Sequence, residues 1–234
     1  MATHYIKDNM AKLEVIAWTV EDAKRIEEGG ADRIELVVDL EKGGLTPPIE
    51  LTKKVVEAVN IPVRVMVRDS DQSFTYTNEE MQSHINYVKQ LTQLPKKPEG
   101  IVFGSLTVDK EINYRQIQEI IEVKKDMKLT YHRAFDELHE PHAKASLKIL
   151  SILDVDTVLT SGLAADALDG SELIKELIGL TKINILPGKS IELHNYKEIL
   201  QKTNADYLHV GYGVRDENLN IDIDKIKQFK EGME

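Results

Sequence analysis

A chain of 234 residues, 41% hydrophobic and 30% charged, is long enough for one large domain and too apolar to remain disordered. Its net charge of −10 argues against nucleic acid or an anionic membrane as partner, and the lack of cysteine excludes disulfides, zinc ribbons, iron–sulfur clusters and thiolate nucleophiles. No apolar run reaches the roughly 18 residues of a membrane span, and MATHYIKDNMAK has no apolar leader core, so a soluble, cytoplasmic protein is expected.

In chain order, short β-branched runs predict strands over residues 13–18, 33–38, 63–68, 100–105, 128–133, 157–161, 182–186 and 207–211. Amphipathic stretches between them predict helices over 21–28, 50–59, 79–94, 114–124, 143–153, 171–180, 193–202 and 223–230. Strict alternation requires parallel pairing, because every parallel crossover needs a connecting element. Eight such units predict a single (β/α)8 TIM-type barrel over residues 1–234, with 1–11 as an N-terminal extension. A doubly wound open sheet is the rival, and the absence of a glycine fingerprint argues against it.

Side chains alternate across a strand, so each strand sorts its own residues. Leu13, Val15 and Ala17 suit the helix-facing side and leave Glu14, Ile16 and Trp18 inside. The same phase turns Arg33, Glu35 and Val37 inward, then Arg64, Met66 and Arg68, then Thr130 and His132, and finally Tyr207, His209 and Gly211. Barrel interiors are normally filled by branched apolar layers, so this charged set must pair internally or bind something. Arg33, near the bottom of its strand, reads as structural. An ion network in which Glu14 and Glu35 hold Arg64 is the plain interpretation of those three. Arg68 and His132 stand at the C-terminal strand ends, where barrel active sites are built. The candidate catalytic set is Glu14, Glu35, His132 and Asp136. The candidate substrate contacts are Arg64, Arg68, Thr160, Ser161, Lys189, His209 and Gly211.

The loops of that rim carry anion-binding chemistry. LPGKS supplies Gly188 and Lys189, HVGYGVR supplies Gly211 and Gly213, and LTSGLAADAL supplies Thr160, Ser161 and Gly162. Phe74 and Tyr76, in the polar loop RDSDQSFTYTNEE, either cover a pocket or pack the loop down. Arg133 should point away from the axis into a rim salt bridge with Asp136. The segment HRAFDELHEPH offers His132, Asp136, His139 and His142 to a metal, but the last two fall past the strand and read as solvated loop histidines. No metal site and no cofactor are expected.

The words ADRIELVVDLEKGGLTPP, YHRAFD, VLTSGLAADAL and GVRDENL, in this order, resemble the CutC family of copper-homeostasis proteins. The resemblance implies a TIM-type barrel, a cytoplasmic location, a homodimer or higher homo-oligomer, and copper binding. It maps onto Glu14, Arg33, Glu35, Gly43, Gly44, Thr46, Pro47, Arg68, Phe74, Tyr76, His132, Arg133, Asp136, Thr160, Ser161 and Gly162. The chain departs from the family pattern in VRDSDQSFTY, which lacks the usual proline, second arginine and two glycines, and at Val37, where the family has cysteine. Cu(I) prefers sulfur ligands, and the methionines here form no cluster. Two functions therefore stand side by side. One is a copper-homeostasis binding protein. The other is a barrel enzyme using lyase- or isomerase-type acid–base chemistry on a small anionic or phosphorylated metabolite.

Overall fold

The structure, a computed structural model, describes residues 10–233. Most of the expected N-terminal extension lies outside the described residues. Eight strands alternate with eight helices: β1 (Lys12–Ala17), α1 (Val20–Glu28), β2 (Arg33–Leu36), α2 (Ile49–Ala58), β3 (Val63–Met66), α3 (Asn78–Gln93), β4 (Gly100–Phe103), α4 (Tyr114–Lys124), β5 (Lys128–Tyr131), α5 (Glu140–Leu150), β6 (Thr157–Thr160), α6 (Ser171–Ile178), β7 (Asn184–Pro187), α7 (Tyr196–Thr203), β8 (Tyr207–Val210) and α8 (Ile223–Glu231). All named strand pairs are parallel, in the order β7-β6-β5-β4-β3-β2-β1-β8. A single parallel bridge, Gly188 to His209, joins the last two strands and closes the (β/α)8 barrel.

Two apolar layers result from the period-two pattern. Leu13, Val15, Ile34, Leu36, Val63, Val65, Leu129, Tyr131, Leu208 and Val210 belong to the large core between strands and helices. Ile16, Val37, Met66 and Val102 form a separate cluster inside the barrel, with Trp18 and Leu40 packed against it. Helix starts are fixed locally. Thr19 accepts the Asp22 N–H at 2.9 Å, and Thr77 with Glu80 makes a reciprocal capping box at α3.

Seven of the eight strands end one or two residues earlier than their apolar patterns suggest, while β7 runs one residue further, to Pro187. β5 stops at Tyr131 because His132 caps a 3-10 helix, Arg133–Glu137. The helix expected at 143–153 runs Glu140–Leu150, since Pro141 is tolerated in a first turn that needs no N–H from it. α7 begins at Tyr196 because Asn195 turns back to accept the Glu192 N–H at 2.9 Å.

Candidate functional site

Register places the charged interior. Glu14 stands opposite Arg33 on one side and His209 on the other, while Glu35 stands opposite Arg64. In parallel strands such partners project to the same face, so all five of these buried side chains turn into the barrel. The Arg33 guanidinium donates to Glu14 Oε2, and His209 Nδ1 lies 2.7 Å from Glu14 Oε1. His209 Nε2 is 3.7 Å from Glu35 Oε2, an ion-pair distance and too long for a hydrogen bond. Glu14 and Glu35 are only 1% and 2% exposed.

Their environments drive the two carboxyls apart. Burial would raise the Glu14 carboxyl, but Arg33 and then His209 outweigh it and hold it at about 2. Burial dominates at Glu35 and, with the Glu14 charge beside it, lifts that carboxyl to about 7. Burial lowers the His209 imidazole, yet the carboxylates of Glu35 and Glu14 outweigh it and the net shift is upward. Because Glu14 stays ionised, the His209 proton resides on Nδ1. Two carboxyls pushed in opposite directions are the usual signature of an acid–base assignment.

Above this network a cavity of about 730 Å³ opens at the C-terminal ends of the strands. Glu35, Arg68, Phe74, His132, Lys189 and His209 are among the side chains of its wall. Glu14 is not in the wall. Its role is to hold Arg33 and His209.

Arg68 and Lys189 meet no carboxylate within salt-bridge distance among the described residues. Arg68 Nη1 donates to the Lys42 carbonyl at 3.2 Å, its Nε has no partner, and its guanidinium lies 4.6 Å from the Phe74 ring. Lys189 Nζ reaches only the Ala164 carbonyl, at 3.4 Å. His132 Nδ1 accepts the Ala134 N–H at 3.1 Å, while its Nε2 is buried and unpartnered. Burial, and next the Arg68 charge, push this imidazole down to about 3. Each orphaned buried polar atom costs roughly 1–3 kcal/mol. Three of them, Glu35 Oε1, Arg68 Nε and His132 Nε2, belong to side chains of this one cavity wall.

Other expected contacts lie elsewhere. Arg64 does not line the cavity. Its donors reach Glu99 at 3.1 Å, Asp156 at 2.7 Å, Thr157 at 3.2 Å and Thr130, with the two acids standing just before β4 and β6 at the barrel bottom. Arg64 thus closes the base, and the network in which Glu14 and Glu35 hold it is replaced by Asp156 and Glu99. Thr160 and Ser161 are also engaged. The Thr160 hydroxyl, the Ser161 N–H and the Ser161 hydroxyl all donate to Asp136. Arg133 Nε donates to the same carboxylate at 3.0 Å, the rim salt bridge expected from the sequence. Asp136 is a brace rather than a free acid. His132 has Arg68 and Arg133 as its charged neighbours, and the imidazole facing the carboxylates is His209. Gly211 lines the cavity, and a methyl group there would meet Ile16 at 3.1 Å.

Sequence reasoning missed Gly104 and Arg215. A Cβ on Gly104 would stand 2.6 Å from His132 Nδ1, so only glycine seats that ring. The signal was its place two residues past Val102 on the inward face. Arg215 donates to the Ile16 carbonyl at 2.9 Å and to Asp22 at 2.9 Å, and so ties the loop after β8 to β1 and α1.

A family model described as the CutC family matches residues 11–229. The human protein named copper homeostasis protein cutC homolog is 38% identical over 201 residues, 84% of this chain and 71% of its own length. A family protein CutC of Pasteurella multocida is 34% identical over 207 residues, 87% of this chain and 83% of its own. The crystal structure of the Streptococcus agalactiae CutC protein superposes with a TM-score of 0.81 at 25% identity, covering 86% of this chain and 98% of that one. Phosphoribosyl anthranilate isomerase of Thermotoga maritima, at a TM-score of 0.67 and 14% identity, covering 96% of this chain and 98% of that one, shares the fold alone.

Proposed function

The chain belongs to the CutC family, and from that premise and the geometry of the cavity we propose that it is a cytoplasmic barrel enzyme performing acid–base chemistry on a small anionic metabolite. The observation that carries the reading is the cavity wall itself. It combines an acid near neutrality, Glu35, with two cations, Arg68 and Lys189, that have no counter-ion among the described residues. Glu35 exchanges the proton, His209 stands beside it as an ion-pair partner at 3.7 Å, and Glu14 fixes the ring through Nδ1. Arg68 and Lys189 hold the anionic ligand. A cavity of this size suits a metabolite rather than a macromolecule.

The family's relatives carry the name of copper homeostasis, so the donor set is the second matter. Glu14, Glu35 and His209 bring ligand atoms within 4.8 Å of one another. That set is all oxygen and nitrogen, one member is already held by Arg33, and the thioether of Met66 packs among Ile16, Val37 and Val102. Cu(I), which favours several sulfur ligands, does not fit it.

The test is calorimetric titration with glycerol 3-phosphate, inorganic phosphate and glycerol. Binding of the phosphates but not of glycerol, weakened about tenfold or more in Lys189→Met, is expected; such a loss is about 1.4 kcal/mol. Absence of any response to phosphates and to small carboxylates such as glycolate would remove the proposal.

A further inference from the structure

Resting on that reading, we infer that His132 Nε2–H and the Arg68 guanidinium form a donor pair for the carbonyl oxygen of the ligand, which makes the substrate an anionic carbonyl compound with a removable C–H beside the carbonyl. The tautomer of His132 follows from one hydrogen bond. The Ala134 N–H can only donate, so Nδ1 accepts at 3.1 Å and the proton of the neutral ring stands on Nε2. That N–H is buried and has no partner. Arg68 presents an equally unpartnered Nε.

Phe74 packs against both. Its ring is 4.9 Å from His132 and 4.6 Å from the guanidinium. Phe74 is itself only half-buried, on the cavity wall and in the polar loop between β3 and α3. One ring on the cavity wall thus lies against both donors. Gly104 leaves the room the imidazole needs. A neutral imidazole beside one guanidinium gives two N–H donors and one positive charge, which suits an oxygen that gains charge during reaction better than a phosphate dianion; of the two cations that hold the ligand, Arg68 then faces this oxygen and Lys189 the anionic group. A neutral donor of this kind polarises a carbonyl without protonating it beforehand.

The reaction balances without a co-reactant. The Glu35 carboxylate takes the proton from the carbon beside the carbonyl, and the C–H electron pair becomes the carbon–carbon double bond. The carbonyl π pair moves to oxygen, where the two N–H groups hold the charge. Return of the proton from Glu35 restores a carbonyl compound, and in heavy water leaves deuterium on that carbon.

The probes are phosphoglycolohydroxamate, a planar mimic of the enolate, and glycerol 3-phosphate, which carries the same phosphate without the planar oxygens. Calorimetry should show the hydroxamate binding at least about tenfold tighter to the wild type, as transition-state mimics do. His132→Leu should bring the two affinities to within about threefold, and His132→Gln, which keeps an N–H donor, should retain part of the preference. Nitrogen-15 histidine spectra of the unmodified protein supply a second readout that needs no variant. His132 should remain in the Nε2–H tautomer at neutral pH and shift when the hydroxamate binds. Equal affinities in the wild type, or a preference untouched in His132→Leu, overturn the donor pair and leave the anion site standing. Binding of neither probe overturns the anion site as well.

Discussion

Glu35 is the residue whose surroundings make the strongest demand. Its carboxyl rises from an ordinary 4.5 to about 7 through burial and the neighbouring Glu14 charge, against the pull of His209. Between those two values the folded protein binds more protons than the unfolded chain, so stability falls as pH rises through the window. His209, also shifted upward, adds to the fall in the same direction. Glu14 works oppositely. Held at about 2, it favours the folded state above its unfolded value, and that contribution is lost as pH drops from about 4.5 toward 2. The network is therefore most stabilising near pH 4.5, between the two windows. Replacing Glu35 by Gln removes the Glu35 share of the descending limb. Urea unfolding from about pH 4.5 to 7.5 should show the wild type losing up to about 3 kcal/mol relative to Glu35→Gln. Parallel curves for the two proteins would mean that Glu35 titrates as an ordinary carboxylate.

At the scale of the element, the segment from His132 to Asp136 shows what sequence can and cannot disclose. The inward phase of β5 follows from Leu129 and Tyr131, because alternation needs only the nearest neighbours along the strand. The same rule placed Glu14, Glu35, Met66 and His209 inside the barrel. Partnership was not legible in that way. Arg64 is as inward as Arg68, yet Asp156 and Glu99, acids standing before two other strands, claim it at the base. Asp136 resembled a catalytic acid until Thr160, Ser161 and Arg133 were found donating to it. Both cases have one origin: Arg133 apart, the acids that hold Arg64 and the donors to Asp136 lie 24 to 92 residues away, and only closure of the barrel sets their distances. The brace role has a measurable consequence. Asp136→Ala should cost about 2–4 kcal/mol, since it strands several buried donors. Amide exchange at Ser161 and Leu163, whose N–H groups donate to Asp136 at 2.9 and 3.4 Å, should quicken more than exchange in β1. Uniform acceleration across all strands would indicate a global rather than a local role.

Across the whole molecule, the barrel and the family name point toward different chemistry. Parallel strands, the CutC family model and the superposition with the Streptococcus agalactiae protein agree on architecture. The copper in the relatives' name asks for soft ligands, and these 234 residues include no cysteine and six methionines. Met66 packs in the apolar ring inside the barrel, Met81 and Met127 are buried in the outer core, and Met10 is exposed. Met66 is thus in a different apolar cluster from Met81 and Met127. A sub-nanomolar site corresponds to more than about 12 kcal/mol of binding, which a single thioether does not supply. Titrating Cu(I) against a competing chelator such as bathocuproine disulfonate should therefore reveal no stoichiometric high-affinity site, and Met66→Leu should titrate like the wild type. A tight one-to-one site that disappears in Met66→Leu would show that the barrel interior rearranges to offer sulfur, and the anion-binding reading of the cavity would then have to give way to a metal-binding one.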